Sequence, residues 1–369
     1  MRVDCDVVVV GAGTMGSSTA WWLARRGVDV VLLEQFEQGH VRGSSHGGSR
    51  IFRLAYPDVE YVALAQMALP LWRELEDDAG VPLLDTTGGI DHGDPSMIDA
   101  VRAALGARDA TFESLSPDAA HERWPAMDFD RAVLAQPDAG RCRADDTVRA
   151  LQDRAAAHGA AVHFSTGAAV VAERGEGVIA RCPYADLEVL ARVAVVTAGA
   201  WIDRVAPSHI GLPPLHVTQE QIVHFAPRDE TDGGEWPSFI HHRSEVGEGV
   251  VYGLRTPGEG IKVGGHHEGP VVDPDQRSFD LDPGRVEESV RYAERWLPGV
   301  EPVPMFGVTC LYTTTPTEDF VVDRRGSFVI GSACSGHGFK FTPAIGLLLA
   351  DLAMDASAVP RIARFGLPR

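Results

Sequence analysis

Positive charge is scarce in this sequence of 369 residues, which carries 33 Lys and Arg against 52 Asp and Glu, a formal net charge of −19. A protein this acidic repels the phosphates of nucleic acids and the headgroups of anionic lipids, so we expect neither nucleic-acid nor membrane partners. The net charge does not exclude a small anionic ligand, because a few convergent Arg or Lys side chains can reverse the local field.

Long hydrophobic runs are also missing. No apolar stretch approaches the roughly 18 residues that a membrane-spanning helix requires. The N-terminal segment carries Asp4 and Asp6 around a short valine run and has no small-residue cleavage pattern, so we expect no signal peptide.

Cysteine is sparse, and its pattern suggests neither disulfides nor metal. The five cysteines, none at the spacing of a metal-binding pair, are Cys5, Cys142, Cys182, Cys310 and Cys334. Such a pattern predicts a reducing, cytoplasmic compartment. The pairs His241-His242 and His266-His267 lie on strand-like segments, where neighbours point to opposite faces and cannot chelate together. We therefore expect no metal site, and the sequence has no Ser-His-Asp signature in a suitable context.

The chain is too long for one compact core of ordinary size, and its 44% hydrophobic and 23% charged residues indicate a globular protein. This length favours two domains, or one large α/β body with an inserted lobe. Because the sequence has neither a repeat nor a low-complexity linker, we expect the two domains to be interleaved rather than arranged in series.

A strand, a helix and a second strand are predicted at the N-terminus, over residues 5–10, 14–26 and 28–33. Further along, residues 59–76 favour a helix that is kinked or interrupted at Pro70. Alternating apolar and polar residues over 216–270 predict antiparallel strands. A helix is expected from about 282 to 296, and a last helix begins at Thr342 and Pro343.

A glycine motif of the form G-x-G-x-x-G joins the first predicted strand to the helix. Gly11 permits a tight turn, Gly13 lets the backbone approach a pyrophosphate, and Gly16 allows the helix to pack closely on the strand. Glu34 closes the second strand, where its carboxylate can accept hydrogen bonds from a ribose and would repel a 2′-phosphate. The motif therefore predicts a dinucleotide and argues against NADP, but it leaves FAD and NAD open.

A polar, glycine-rich segment follows at residues 40–53 and contains His46, Arg50 and Arg53. Two arginines three residues apart could face the same way and clamp a carboxylate. On spacing alone, a pair of solvated surface cations is the favoured interpretation, since surface arginines are common.

Five segments together resemble the family of monomeric sarcosine oxidases and N-methyltryptophan oxidases, which are flavin-dependent amine oxidases of the D-amino-acid oxidase superfamily. The segments, in order, are VVVVGAGTMGSSTAWWLARRG, GSSHGGSRIFRLAY, GIKVGGHH, CLYTTTPTEDF and SGHGFKF. They span nearly the whole chain, and their combination is far more specific than any one of them.

The resemblance implies an α/β fold in which a glutathione-reductase-type, Rossmann-like FAD-binding domain is interleaved with an α+β substrate domain containing a mainly antiparallel sheet. The expected FAD-binding domain is discontinuous and covers residues 1–80, 141–215 and 306–369. The expected substrate domain covers residues 81–140 and 216–305.

The resemblance also assigns roles at the flavin. Cys310, in Cys-Leu-Tyr-Thr, matches the position at which the family attaches FAD covalently, and a thiolate is the right nucleophile for the oxidised flavin. Lys262 and His266 match the lysine and histidine of the family's K-x-G-x-H segment. A fixed cation beside the flavin stabilises the negative charge that develops when dioxygen is reduced. Only two of the 33 basic residues are lysines, so each lysine is informative.

The second lysine, Lys340, matches the position that, with Arg53, holds the substrate carboxylate in the family. Arg50 and His46 match residues that lie near the flavin ring, and both are expected to be catalytic together with Lys262 and His266. The remaining matched positions, aromatic residues of the substrate pocket and glycines of the cofactor site, are Tyr252, Tyr312, Gly336 and Gly338.

Some residues depart from the family pattern. The segment from Ser45 to Arg50 replaces a common His-His-Gly-Asp-Thr-Arg, and Leu54, Pro57 and Gly265 replace residues of the pocket wall. We therefore expect the oxidase chemistry to transfer more safely than the identity of the substrate.

The function implied is oxidation of the C–N bond of a secondary amino acid, N-methylated or cyclic, by hydride transfer to FAD. Hydrolysis of the imine and reoxidation by dioxygen would follow and give hydrogen peroxide. Two alternatives remain open: an FAD-dependent dehydrogenase that uses another electron acceptor, and a catalytically silent flavin-binding subunit. The expected partners are the amino acid and dioxygen, and monomer and homodimer fit the sequence equally.

Overall fold

A computed structural model describes residues 1–228, 236–243, 249–355 and 362–368. Within these residues the strands, in chain order, are β1 (Arg2–Val10), β2 (Val30–Leu33), β3 (Arg50–Phe52), β4 (Leu84–Asp85), β5 (Gly89–Gly93), β6 (Glu113–Leu115), β7 (Val133–Gln136), β8 (Gly140–Cys142), β9 (Ala161–His163), β10 (Val170–Arg174), β11 (Gly177–Cys182), β12 (Leu187–Val196), β13 (His216–Pro227), β14 (Ser238–His242), β15 (Val250–Thr256), β16 (Gly260–Gly265), β17 (Val300–Thr314), β18 (Val321–Arg325) and β19 (Phe328–Ser332). The helices are α1 (Thr14–Arg25), α2 (Val59–Ala79), α3 (Pro95–Ala107), α4 (Pro117–Arg123), α5 (Ala144–Ala157), α6 (Ile202–Val205), α7 (Pro283–Trp296) and α8 (Thr342–Met354).

The first sheet has a parallel centre in which β9, β2, β1, β12 and β19 lie side by side. Antiparallel strands extend it at β11 and β10 and at β18. Alternate valines of β1 enter two different hydrophobic clusters, so both faces of the sheet are covered. This burial explains the uninterrupted valine run, because a strand covered on both faces needs no polar alternation.

The second sheet has the order β17-β13-β16-β15-β14-β5-β7-β6. Its neighbours are antiparallel except β14 and β5, which run in the same direction. The mainly antiparallel sheet expected from the sequence is therefore confirmed. It draws strands from residues 84–136 and from 216–314, so the two halves of the fold are interleaved. The proposed domain boundary at residue 306 falls inside β17, and the precise ranges, some of whose residues lie outside those described, stay a prediction.

A small third sheet, β3-β8-β4, carries Arg50 at the start of β3. The dinucleotide motif has the predicted form, since β1 ends at Val10 and α1 begins at Thr14. Helix α8 begins at Thr342 with Pro343 in its first turn, also as predicted. Helix α1 packs against α5 and α8, which places the starts of α1 and α8 near each other. The hydroxyls of Thr14 and Thr342 lie 2.8 Å apart.

Helix α2 corrects one of the two outcomes expected at Pro70, because the helix continues through this residue to Ala79 without interruption. Proline removes one backbone donor from the helix ladder, at a cost of about 3 kcal/mol. The buried face of the helix, which includes Trp72 and Leu75, offsets that cost by packing into the core. Asp58 also caps the start by accepting a hydrogen bond from the backbone N–H of Glu60. None of the described helices is both long and apolar enough to cross a membrane.

Candidate active site

A cavity of about 690 Å³ runs from the glycine motif after β1 to the inner face of the second sheet. Every site residue proposed from the sequence lines this cavity, except Gly16, which is buried in α1. Sequence positions 11 to 340 therefore meet in one place, and the two sheets supply opposite parts of its wall.

The glycine motif forms a close backbone cradle at one end of the cavity. Gly11 has φ +100°, and a Cβ there would lie 2.5 Å from the carbonyl oxygen of Thr197. A Cβ on Gly16 would lie 1.9 Å from the carbonyl oxygen of Gly11. The two positions therefore require glycine for conformation and for close packing, respectively.

Glu34 lies at the end of β2, buried on the same cavity wall. Its carboxylate accepts hydrogen bonds from the backbone N–H of Ala12 at 2.8 Å and of Phe36 at 3.1 Å. The side chain thus ties the glycine loop to the segment after β2, and its free lone pairs face the position expected for a ribose.

The middle of the cavity contains two basic side chains that converge on one turn of the chain. Arg50 donates to the carbonyl oxygens of Ser49 at 2.8 Å and of His46 at 2.6 Å. Lys262, on β16, donates from Nζ to the same carbonyl oxygen of Ser49 at 2.6 Å. Burial, and then the charge of Arg50, lower the pKa of Lys262 to about 7. Burial and Arg50 also lower the pKa of His46 to about 3, so that its ring is neutral.

Cys310 is on β17 and lines the same part of the cavity. Burial raises the pKa of its thiol, whereas the nearby charges of Arg50 and Lys262 lower it. These two positive charges partly offset the effect of burial, and positive charge near a cysteine favours the reactive thiolate.

The other lysine lies at the far end of the cavity, in a short 3-10 helix over Phe339–Phe341. Lys340 donates from Nζ to the hydroxyl of Tyr56 at 2.9 Å and to the carbonyl oxygen of His337 at 2.7 Å. Arg53 lies over the same Tyr56 ring, 4.6 Å from its centroid. Burial, and then the charge of Arg53, lower the pKa of Lys340 well below its usual range.

Asp91 is a candidate supporting residue of the site that the sequence pattern did not reveal. Its buried carboxylate lies 3.1 Å from Arg53 NH1, 3.0 Å from His242 Nε2 and 3.1 Å from Gln136 Nε2. Gln136 Oε1 in turn accepts from the backbone N–H groups of Leu54 and Ala55. The network fixes both the guanidinium of Arg53 and the backbone that follows it. The available signal was an acidic residue in the middle of the short strand β5, whose sequence is Gly-Ile-Asp-His-Gly.

Aromatic side chains also line the cavity, in the part that lies near Lys262 and Lys340. The hydroxyls of Tyr252 and Tyr312 are 3.5 Å apart, and His266 lies 5.6 Å from the Tyr312 ring centroid. Burial raises the pKa of both tyrosines and lowers the pKa of His266 to about 3. Tyr252, Tyr312 and His266 are therefore all uncharged near neutral pH.

Two glycines beside these aromatic side chains allow close contacts of the backbone. A Cβ on Gly336, whose φ is +73°, would lie 2.4 Å from the Tyr312 ring. A Cβ on Gly338 would lie 1.7 Å from the carbonyl oxygen of Ala333. Both glycines thus shape the cavity between β17 and α8.

One of the two adjacent histidine pairs has the expected opposite orientation, and the other pair does not. His241 contacts Tyr292, whereas His242 contacts Asp91, so this pair does face opposite sides of β14. The rings of His266 and His267, in contrast, are 4.1 Å apart, and both lie close to Glu318. Strand β16 ends at Gly265 and His267 has φ +59°, so the strand alternation does not extend to this pair.

The cavity fits FAD. The cradle at Gly11 excludes a side chain where a pyrophosphate must approach the backbone, and the start of α1 supplies N–H groups and a positive dipole end. His46 Nε2 is buried in the cavity wall without a hydrogen-bond partner among the described residues. Glu34 would hold the ribose, and Arg50, Lys262 and Cys310 would surround the flavin ring.

Comparisons with known proteins agree with this assignment. A family model described as FAD dependent oxidoreductase matches residues 6–352. The monomeric sarcosine oxidase of a Bacillus species (strain NS-129) is 30% identical, with 100% of this chain and 98% of that protein aligned. N-methyl-L-tryptophan oxidase from Yersinia pestis is 28% identical over the full length of both proteins. The open form of NikD, an unusual amino acid oxidase essential for nikkomycin biosynthesis, has a TM-score of 0.87 and 25% identity over 99% of this chain and 98% of its own.

These matches confirm the resemblance seen in the sequence, the fold that it implied and FAD as the cofactor. The chain is a flavin-dependent oxidoreductase that belongs to the FAD dependent oxidoreductase family, in the group that contains the monomeric sarcosine oxidases.

Proposed function

We propose that this enzyme oxidises the C–N bond of a secondary amino acid, N-methylated or cyclic, and passes the electrons to dioxygen to form hydrogen peroxide. Bound FAD would accept the hydride. Relatives named as sarcosine and N-methyl-L-tryptophan oxidases support an N-methyl amino acid as the substrate class. The observation that carries the proposal is the burial of both lysines of the chain in one cavity, each beside an arginine.

Arg53 and Lys340 would bind the substrate carboxylate. Both face the cavity near Tyr56, and Asp91 holds one edge of the guanidinium while the rest remains for a ligand. The charge of Arg53 and the fixed donor group of Lys340 would together bind a carboxylate and set its orientation, which positions the adjacent C–N bond.

The charge of Arg53 would also keep the substrate amine reactive. An amine must be neutral to give up a hydride, and positive charges near it disfavour its protonated form. His266, Tyr252 and Tyr312 add no charge near neutral pH, since burial keeps each in its neutral state. The pocket therefore favours the free amine of the substrate over its ammonium form.

Lys262 would promote the reaction with dioxygen. Its Nζ is fixed by the carbonyl oxygen of Ser49, close to Arg50 and Cys310. A preorganised cation in a buried site stabilises negative charge as it forms on dioxygen. We assign His46, Arg50 and His266 to the same catalytic region because they line the cavity together with this lysine.

Cys310 would attach FAD covalently. Its sulfur lines the cavity with Lys262 and Arg50, whereas Cys142 and Cys182 are buried away from the cavity wall. Cys334 also lines the cavity, so it is the cysteine against which the proposed attachment must be tested.

Acid precipitation of the purified protein tests the attachment. We expect the yellow colour to stay with the pellet in the wild type and in Cys334→Ala, and to move to the supernatant in Cys310→Ala. Release of all flavin from the wild type would refute covalent linkage, while leaving the oxidase proposal intact.

A peroxide assay under air, across N-methyl and cyclic amino acids, tests the reaction itself. We expect peroxide in a 1:1 ratio to the imine-derived product. Substrate-dependent bleaching of the flavin without peroxide would instead identify a dehydrogenase, and no bleaching with any amine would identify a silent flavin-binding subunit.

A further inference from the structure

Two histidines lie side by side on the face of the second sheet that is turned away from the flavin cavity. His92 on β5 and His241 on β14 are direct partners in the parallel pair of strands. Their rings are stacked with centroids 4.0 Å apart. Neither lines the flavin cavity, whereas Ile240, which precedes His241 on β14, does.

The imidazole of His92 has no partner for either of its nitrogens among the described residues, although only 1% of the residue is exposed. Burying a polar group without a hydrogen bond costs free energy, so a buried imidazole without a partner indicates that a ligand binds it. His241 Nδ1 lies 3.1 Å from the hydroxyl of Tyr292, which leaves Nε2 as its free nitrogen.

A carboxylate completes the group. Ligand atoms of His92, His241 and Asp130 all lie within 4.8 Å of one another. Asp130 is exposed, so its side chain can rotate to shorten these distances without disturbing the core.

A second cavity, of about 350 Å³, lies next to this group and has Asp130 in its lining, whereas His92 and His241 do not line it. Asp118 and Asp128 line it together with Asp130, and so do Phe129 and Trp296, whose rings also contact His92. Acidic side chains around the opening attract a cation and repel an anion.

We propose that His92, His241 and Asp130 bind a divalent transition-metal ion, with zinc as the representative ion. Two neutral imidazoles and one carboxylate form a common zinc ligand set, and water would complete a tetrahedron. Tyr292 would act as the outer partner that orients His241, by accepting a hydrogen bond from its Nδ1–H.

The ion would join the segment that carries Asp130 to strands β5 and β14. These strands also supply Asp91 and His242, which hold Arg53 from the opposite face of the sheet. The metal site would thus stabilise the part of the sheet that supports the substrate pocket, without taking part in the flavin chemistry.

Zinc titration of the flavin-loaded enzyme tests the proposal. Protein stripped with a chelator is mixed with a chromophoric zinc indicator, and flavin content is measured in parallel. We expect one tight zinc per chain in the wild type, and at least tenfold weaker binding in Asp130→Asn and His92→Gln, at unchanged flavin content. X-ray absorption of the zinc complex should show only nitrogen and oxygen ligands, with the scattering pattern of two imidazoles.

His121→Gln is the matched control, because His121 lines the second cavity but is not part of the group. We expect its zinc affinity to stay within threefold of the wild type. Since Asp130 is exposed, Asp130→Asn tests the site even if substitution of the buried His92 unfolds the protein. Absence of tight zinc binding, equal binding by Asp130→Asn and wild type, or loss of binding in His121→Gln would each overturn the assignment.

Discussion

The guanidinium of Arg53 lies 3.1 Å from the carboxylate of Asp91, and that carboxylate is only 1% exposed. A buried charge of this kind is stable only when it is paired and hydrogen-bonded, and Asp91 meets the requirement with Arg53, His242 and Gln136. The ion pair therefore both orients Arg53 and stabilises the fold.

Substitution of Asp91 by Ala should weaken the binding of carboxylate ligands. Hydrogen bonds to charged groups contribute about 1.5–3 kcal/mol, so we expect the KM of an N-methyl amino acid to rise by about 10-fold to 100-fold. The binding of a matched amine that lacks the carboxylate should change little, because Arg53 has no part in it.

The control for the Asp91 experiment is Asp85→Ala, which removes an ion pair with Arg141 and Arg143 outside the cavity lining. It should lower thermal stability but leave the KM ratio of the two ligands unchanged. If Asp91→Ala changes both ligands equally, Asp91 supports the fold and not the position of Arg53.

Lys262→Met should slow the reaction with dioxygen and spare substrate oxidation. Removal of one preorganised charge donor typically costs about 10²-fold to 10³-fold in rate, and we expect that loss in the reoxidation of the reduced enzyme. Stopped-flow measurements separate reoxidation from the anaerobic reduction by substrate, which should stay within a few fold. Lys340→Met is the matched control, since it should weaken substrate binding and leave reoxidation intact. Equal reoxidation rates in both variants would contradict the division of roles between the lysines.

The reaction with dioxygen should also depend on pH with a definite sign. Burial lowers the pKa of Lys262 to about 7, so the ammonium ion predominates below that pH and the neutral amine above it. The rate of reoxidation should therefore fall as pH rises through about 7, approaching a tenfold loss per unit if the charge alone controls the rate. Lys262→Arg, which stays charged, should give a flat profile over the same range. A rate that increases with pH in the wild type would exclude the protonated lysine as the active form.

Gly11→Ala should abolish tight FAD binding. The new Cβ would lie 2.5 Å from the carbonyl oxygen of Thr197, at a residue with φ +100°. The turn must therefore shift away from the geometry that receives the pyrophosphate.

Flavin absorbance after gel filtration measures the loss of FAD, and Gly106→Ala provides the control. Gly106 is helical, and a Cβ there meets nothing within 4 Å, so this substitution should leave FAD bound and slightly raise stability. Retention of FAD by Gly11→Ala would show that the turn tolerates a side chain.

Local sequence patterns predicted the elements that depend on neighbouring residues. The strand, glycine turn and helix at the N-terminus were evident because their spacing is short and each glycine has a steric role. Interruption of α2 at Pro70, one of the two outcomes expected there, does not occur because tertiary packing of the helix outweighs the local penalty. The opposite orientation expected for His266 and His267 was wrong because the strand ends one residue earlier, at Gly265.

The sequence by itself determined the family, the cofactor and the few cations that are candidates for the site, because motifs and residue counts are properties of the chain. Only the tertiary structure decided which groups meet. Lys262 shares the carbonyl of Ser49 with Arg50, Lys340 reaches Tyr56, and Asp91 on the second sheet reaches Arg53, which follows β3. Such contacts join residues tens to hundreds of positions apart, and their energies depend on burial that no local pattern encodes. The same holds for His92 and His241, whose proximity results from the parallel pairing of β5 with β14.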